Sequence, residues 1–327
     1  MKVSVLGGGA WGTALAAQLV RAGHEVRLWA RETEVVDEVN ARHRNSMYLD
    51  GVDLPAALTA SADVAAVAAD TPLLVMAVPS EFCRAMYREL RPRLAAEATI
   101  LSATKGLEIG TLRRMTEIAA EELPGHPLAV ISGPSFAIEV AREQPTAVVV
   151  ASPDAARAEE LQRAVSTRRF RAYTSDDVIG VELAGALKNV IAIAAGVVDG
   201  LGYGHNTLAA LVTRGLAEIT RLAVALGGRA ETMAGLAGLG DLLLTSTGGL
   251  SRNRRVGQAL GEGRTLAEAT SSHSVAEGVR TTLAACALAD RAGVDMPIAH
   301  QMRAVLHEGK PARDAVDELM LRTLKRE

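Results

Sequence analysis

Aromatic side chains are scarce in this chain: Phe, Trp and Tyr together make up 3% of its 327 residues. So few rings leave no set of platforms on which bases could stack, and a formal net charge of −3 supplies no broad basic surface. Both observations argue against a nucleic-acid partner, and any anionic ligand must be met by a local cluster. Cysteine is also rare. Cys83 and Cys286 lie far apart with no Cys-x-x-Cys, and the seven histidines have no paired ligand spacing. This pattern points to a reducing compartment and no metal site. Lysine occurs only at positions 2, 105, 188, 310 and 325, the other basic residues being arginine. That bias marks Lys105 and Lys188 as places where arginine does not serve. The chain starts directly on an apolar segment without a charged leader, and its longest apolar runs, such as 190–198, are shorter than the roughly 18 residues of a membrane span. A cytoplasmic protein without membrane insertion is expected.

What is present suits a globular protein of two domains: 49% hydrophobic and 22% charged residues, spread along the chain. The first half alternates short apolar strands (3–6, 25–29, 73–78, 99–103, 128–132 and 147–150) with helical stretches, the pattern of a parallel sheet covered on both faces. Small or polar clusters follow these strands at 7–12, 30–31, 79–80, 104–106 and 133–135, where such sheets bind ligands. Lys105 and Ser135 therefore converge on one crevice. A polar stretch at 174–177 ends the alternation, and the remainder reads as helical, opening with a long apolar helix at 178–199 that runs into glycines 196, 200, 202 and 204. Further helical patterns follow near 207–226, 230–237, 252–261, 265–270, 277–292 and 297–308, with no internal repeat. The expected architecture is α/β: a doubly wound sheet domain over residues 1–176, then an all-α domain over 177–327.

Lys188 is the most informative residue. Gly185-Ala186-Leu187-Lys188-Asn189-Val190-Ile191-Ala192 places an ammonium group in a helix that is otherwise apolar all round, and positions three and four residues away hold no carboxylate. Its partner comes from elsewhere in the fold or is a substrate. In such surroundings a lysine can be drawn down from about 10.4 toward the working pH, which suits proton transfer; alternatively its stem packs while its head reaches water. Gly238-Leu239-Gly240-Asp241-Leu242-Leu243 sets one carboxylate in an apolar, glycine-flanked loop. Pairing Lys188 with Asp241 is the natural proposal, with a helix-capping Asp241 as the structural alternative.

Gly7-Gly8-Gly9-Ala10-Trp11-Gly12 follows a strand and opens a helix, the context of a dinucleotide fingerprint. Gly7 makes the turn, Gly9 admits the pyrophosphate at the helix N-terminus, and Gly12 lets helix and strand pack closely. The first domain is thus of Rossmann type. After the second strand the chain reads Trp29-Ala30-Arg31-Glu32, without the acid that usually binds the ribose hydroxyls of NAD. Arg31 is placed to meet a 2′-phosphate, which favours NADPH, while Glu32 leaves NADH open. Ser251-Arg252-Asn253-Arg254-Arg255, at the start of a helical pattern, offers a hydroxyl, an amide and three guanidinium groups to an oxyanion.

Assembled, these residues resemble the bacterial NAD(P)-dependent sn-glycerol-3-phosphate dehydrogenases. The resemblance runs nearly the whole chain through residues 7–13, Thr104-Lys105-Gly106, Gly133-Pro134-Ser135-Phe136-Ala137, residues 185–189, Gly204-His205-Asn206, residues 238–241, 251–253 and Val275-Ala276-Glu277-Gly278. It implies an oxidoreductase that reduces dihydroxyacetone phosphate to sn-glycerol 3-phosphate for glycerophospholipid synthesis, without a metal. It further implies Lys188 as proton donor and acceptor, and Lys105, Gly133, Ser135, Asp241, Ser251, Arg252 and Asn253 at the substrate. The cofactor, NADPH with NADH also admitted, would be met by Gly7, Gly9, Ala10, Trp11, Gly12, Arg31, Lys105, Ala137, Arg252, Val275 and Glu277. The chain departs from the family at Ala10, where Ser is more usual, so a hydroxyl near the cofactor phosphates is lost. A homodimer is the expected assembly. Two other readings stand beside this one: a β-hydroxyacid or ketopantoate-type reductase of the same architecture, and a non-catalytic dinucleotide sensor.

Overall fold

The computed structural model describes residues 1–270 and 276–323. The chain forms two compact units, one of residues Met1–Lys105 and Arg113–Glu182, the other of Gly106–Leu112 and the chain from Leu183 onward.

The first unit is built on eight strands: β1 (Lys2–Leu6), β2 (Glu25–Trp29), β3 (Thr59–Ser61), β4 (Leu73–Met76), β5 (Thr99–Ser102), β6 (Leu128–Ser132), β7 (Thr146–Ala151) and β8 (Phe170–Ser175). Its helices are α1 (Ala10–Arg21), α2 (Thr33–Arg42), α3 (Val64–Ala68), α4 (Ser80–Leu90), α5 (Met115–Glu122), α6 (Ala137–Ala141) and α7 (Ala155–Val165). The strands lie in the order β3-β2-β1-β4-β5-β6-β7-β8. Side chains alternate across the pleat to feed two cores. On β4, Leu73 and Val75 pack with Leu15 and Leu19 of α1 and Leu161 of α7. Leu74 and Met76 pack with Tyr87 and Leu90 of α4 and Ile118 of α5. This is a doubly wound sheet, and the strand order reverses at β1, flanked by β2 and β4. The loop leaving the carboxyl end of β1 therefore opens at the switch point, where such sheets take ligands.

The sheet differs from the sequence expectation in two respects. β7, expected among parallel strands, runs antiparallel to β6 and parallel to β8. β3 and β8 were not anticipated. β3 has three residues and is too short to show a period, while β8, with alternating buried and exposed positions and a polar end, occupies part of the stretch read as the break between domains.

The second unit is helical: α8 (Val178–Gly200), whose first turn belongs to the first unit, then α9 (His205–Ala225), α10 (Ala230–Ala234), α11 (Asp241–Thr247), α12 (Arg252–Gly261), α13 (Leu266–Ala269), α14 (Glu277–Ala292), α15 (Pro297–His307) and α16 (Ala312–Met320). α8 is long and apolar enough to cross a membrane, but 89% of its most apolar window is buried inside the protein. A helix apolar on all sides serves as a central post around which the others pack.

Glycines decide how closely they do so. Gly196 and Gly200, one turn apart on α8, meet Gly257 and Gly261, one turn apart on α12. A Cβ at Gly196 would stand 1.9 Å from the Arg254 carbonyl oxygen, and one at Gly257 1.9 Å from that of Ile193. The equivalent distances are 2.2 Å for Gly200 to the Gln258 oxygen and 2.6 Å for Gly261 to the Val197 oxygen. The two helices touch backbone to backbone, and both series rise together along the chain, so the start of α12 lies beside the α8 residues just after Lys188. Gly278 of α14 closes the same corner: its Cβ would fall 2.7 Å from both the Asn189 carbonyl oxygen and Asn253 Oδ1.

Glu218 of α9 supplies a pH-dependent element of this unit's stability. It is 2% exposed and accepts the Ile298 N–H at 2.9 Å and the Ala299 N–H at 3.4 Å, the unpaired donors at the start of α15. Burial outweighs those bonds and nearby Arg221 and raises its carboxyl to about 7. Because the unfolded carboxyl titrates near 4.5, the folded state holds a proton between the two values that the unfolded state has released. The contribution is full below about pH 4.5 and is lost as the pH rises to about 7. We expect wild type to lose about 3 kcal/mol relative to Glu218→Gln between pH 4.5 and pH 8, measured as the difference between their urea-denaturation curves. Parallel pH profiles for the two proteins would contradict it.

Candidate active site

In the first unit the glycine loop is shaped by contact. Gly7 has φ +123°, and a Cβ there would lie 2.7 Å from the Ala77 carbonyl oxygen; at Gly12 it would lie 1.9 Å from the Gly7 carbonyl oxygen. These positions exclude any side chain, which is how α1 comes to sit tightly against β1. Gly9, the N-cap of α1, is different: a Cβ there would meet nothing within 4 Å. The helix N-terminus thus opens onto space, with no side-chain cap and no acidic residue in its first turn. Trp11, on that turn, has a buried indole Nε1 without a hydrogen-bond partner. An open cradle at a helix N-terminus fits a dinucleotide pyrophosphate. Ala10 is the first residue of α1.

Arg31, just past β2, is exposed and forks onto Glu32, with Nη2 at 2.8 Å and Nε at 3.1 Å from Oε1. The expected cation is in place, and the neighbouring carboxylate shares it. At the carboxyl ends of β5 and β6, Lys105 Nζ donates to the Gly133 carbonyl at 3.2 Å and Ser135 Oγ to the same oxygen at 2.9 Å. The structure therefore gathers Lys105, Gly133 and Ser135. Gly133 is obligatory here, with φ +140° and the Val148 Cα 2.9 Å from where its Cβ would be. Ala137 opens the short α6 immediately beyond.

In the second unit Lys188 is 6% and Asp241 1% exposed. Lys188 Nζ donates to Asp241 Oδ1 at 2.5 Å and to Thr245 Oγ1 at 2.7 Å. The Thr245 hydroxyl donates in turn to the Asp241 carbonyl oxygen at 2.7 Å. Asp241 is not in a loop. It is the first residue of α11, preceded by a π-helical turn, Leu236–Gly240. Gly238 is needed for that turn, since its Cβ would stand 2.2 Å from the Met233 carbonyl oxygen. The carboxylate compensates a buried ammonium that no residue on α8 could neutralise. Thr245 escaped the sequence reading because α11 was not recognised; once the helix is seen, position i+4 from Asp241 places it on the same face.

Ser251 caps α12, its Oγ accepting the Arg254 N–H at 3.2 Å. Asn253 Oδ1 accepts the Gly278 N–H at 2.9 Å, so what its amide offers a ligand is the NH2 group. Of the three arginines expected to form an oxyanion cluster, Arg254 is committed elsewhere, 2.5 Å from Asp199. Arg252, on the first turn of α12, is half-buried. Glu277 opens α14; Val275 lies outside the described residues.

Comparison with known proteins agrees over the full chain. Models of the NAD-dependent glycerol-3-phosphate dehydrogenase N-terminus and C-terminus match residues 2–158 and 177–317. The NAD(P)+ glycerol-3-phosphate dehydrogenase of Geobacter sulfurreducens is 51% identical, covering 100% of this chain and 98% of that protein. The crystal structure of glycerol-3-phosphate dehydrogenase from Coxiella burnetii superposes with a TM-score of 0.95 at 44% identity, covering 98% of this chain and 99% of that one. A ketopantoate reductase from Ralstonia eutropha, at 19% identity and a TM-score of 0.62, covers 98% and 100% of the two chains and shares the fold alone. With family models on both halves and half of its residues shared with a full-length relative, the chain belongs to the NAD-dependent glycerol-3-phosphate dehydrogenase family.

Proposed function

We propose that this protein reduces dihydroxyacetone phosphate to sn-glycerol 3-phosphate, using NADPH and also accepting NADH. The observation that carries the reading is the buried trio of Lys188, Asp241 and Thr245, which holds one ammonium group in a fixed place. The nicotinamide cofactor, when bound, supplies a hydride to carbonyl carbon C2. Lys188 Nζ gives a proton to the carbonyl oxygen as negative charge develops there, so that C=O becomes CH–OH and the lysine is reprotonated from solvent. Asp241, 2.5 Å from Nζ, gives the buried ammonium that supplies the proton its counter-charge. Thr245 adds a second acceptor that sets the direction of Nζ. A fixed positive charge in dry surroundings stabilises an alkoxide far better than water does, without a metal.

The substrate phosphate is assigned to Arg252, the Ser251 hydroxyl and the Asn253 NH2 group at the N-terminus of α12. Lys105, Gly133 and Ser135 are assigned to the substrate in the first unit. Gly7, Gly9, Ala10, Trp11, Gly12, Arg31, Lys105, Ala137, Arg252, Val275 and Glu277 are assigned to the cofactor. Product for glycerophospholipid synthesis, a cytoplasmic location and a homodimer complete the proposal.

Arg252→Ala is expected to raise KM for dihydroxyacetone phosphate by roughly 10- to 100-fold with a smaller fall in kcat. An unchanged KM in steady-state assays would remove Arg252 from the phosphate site. The whole reading is tested by NADPH oxidation with dihydroxyacetone phosphate beside ketopantoate, a β-keto acid and unphosphorylated dihydroxyacetone. Turnover of the phosphate ester alone supports it, turnover of a keto acid moves the chain to a carboxylate substrate, and none with any of them leaves a sensor.

A further inference from the structure

The peptide between Gly8 and Gly9 joins two residues that have no Cβ to restrict rotation on either side. Left alone, such a peptide can turn over and present its carbonyl where an amide is needed. Asn45 prevents this. It follows α2, is 1% exposed, and its Nδ2 donates to the Gly8 carbonyl at 2.8 Å and to Thr13 Oγ1 at 2.8 Å. The Thr13 hydroxyl donates to the same Gly8 carbonyl at 3.2 Å. The backbone N–H of Tyr48 donates to Asn45 Oδ1 at 3.2 Å, which orients the amide: reversed, it would set NH2 against N–H and oxygen against carbonyl.

In a planar trans peptide the C=O and the following N–H point in opposite directions. Two donors that hold the Gly8 carbonyl inward therefore turn the Gly9 N–H outward, at a position that opens onto free space. We infer that Asn45 is a positioning residue for the cofactor pyrophosphate, locking the Gly8–Gly9 peptide with its N–H facing the anion. The inference rests on the proposed reading that this unit binds a nicotinamide dinucleotide.

Asn45→Asp is the sharpest test. It keeps the shape and the acceptor for Tyr48 N–H but replaces the donor with a carboxylate facing the Gly8 carbonyl. By calorimetry on the full chain, Kd for NADPH should rise at least tenfold. By NMR titration, Kd for 2′-AMP, which lacks the pyrophosphate, should stay within twofold. At saturating NADPH, KM for dihydroxyacetone phosphate should be unchanged. An NADPH Kd within twofold of wild type overturns the inference, as does equal weakening of both ligands, the mark of general damage to the unit. If Asn45→Asp does not fold, Asn45→Ala carries the test under the same criteria, since it removes the Nδ2 donation to the Gly8 carbonyl. A wild-type protein that binds no NADPH overturns the cofactor reading itself, whereas wild-type binding with an indifferent variant overturns only the role of Asn45.

Discussion

Lys188→Ala should lower kcat by about 10⁴-fold while NADPH affinity stays within about twofold. Two effects combine in that figure: loss of a positioned proton donor, about 10²–10⁴ in rate, and loss of a fixed charge at the developing alkoxide, of order 10²–10³. They act through one group, so they do not multiply fully. The substitution also leaves Asp241, 1% exposed, as a buried carboxylate without its cation, at a cost of about 3–5 kcal/mol in stability. Activity and stability must therefore be separated. The double variant Lys188→Met with Asp241→Asn removes both charges at similar volume and should recover most of the stability while remaining inactive. Single-turnover kinetics on both proteins, with denaturation curves alongside, make the comparison. Turnover near the wild-type rate in either variant would end the assignment of Lys188.

Gly257→Ala, the addition of one methyl group, should destabilise the protein by about 3 kcal/mol or more. The added Cβ would lie 1.9 Å from the Ile193 carbonyl oxygen and 2.9 Å from the Val197 nitrogen. Both are backbone atoms of a central helix, so no rotamer change can relieve the clash and α12 must move. Ser251, Arg252 and Asn253 move with it, and protein that still folds should show a raised KM for dihydroxyacetone phosphate. Gly249→Ala is the control, because a Cβ there would meet nothing within 4 Å; its expected effect is within about 0.5 kcal/mol. Equal denaturation midpoints for the two variants would show that the α8–α12 contact is not tight in solution.

The helical neighbourhood of Lys188 shows why sequence goes so far and then stops. That a lysine in an apolar helix needs a distant partner follows from spacing alone, since a helix face is defined by residues three and four apart. Asp241 was the evident candidate because it is the one carboxylate in its apolar stretch. That Thr245 joins them was not legible. The seven residues of α11, begun by a π turn among glycines, carry too weak a period to be read as a helix. In the Ser251–Arg255 run the residue types suggested three equivalent cations, and only the packing of α8 on α12 shows that Arg254 is drawn to Asp199.

By itself the sequence determined the alternation of strands and helices, the dinucleotide loop, the family and the isolated charge at Lys188. Each is written in local patterns: periods of 2 and 3.6, glycines at fixed spacing, a polar residue among apolar ones. The tertiary structure alone decided which way β7 runs, which glycines are turns and which are helix contacts, and what clamps the Gly8–Gly9 peptide. Strand direction depends on how the chain returns to the sheet edge. The closeness of α8 and α12 depends on Gly196 and Gly257, 61 residues apart by their numbers, facing one another. Asn45 acts on a loop 37 residues earlier in the chain, and no local pattern can show which of the chain's five asparagines folds back to hold a carbonyl at that distance.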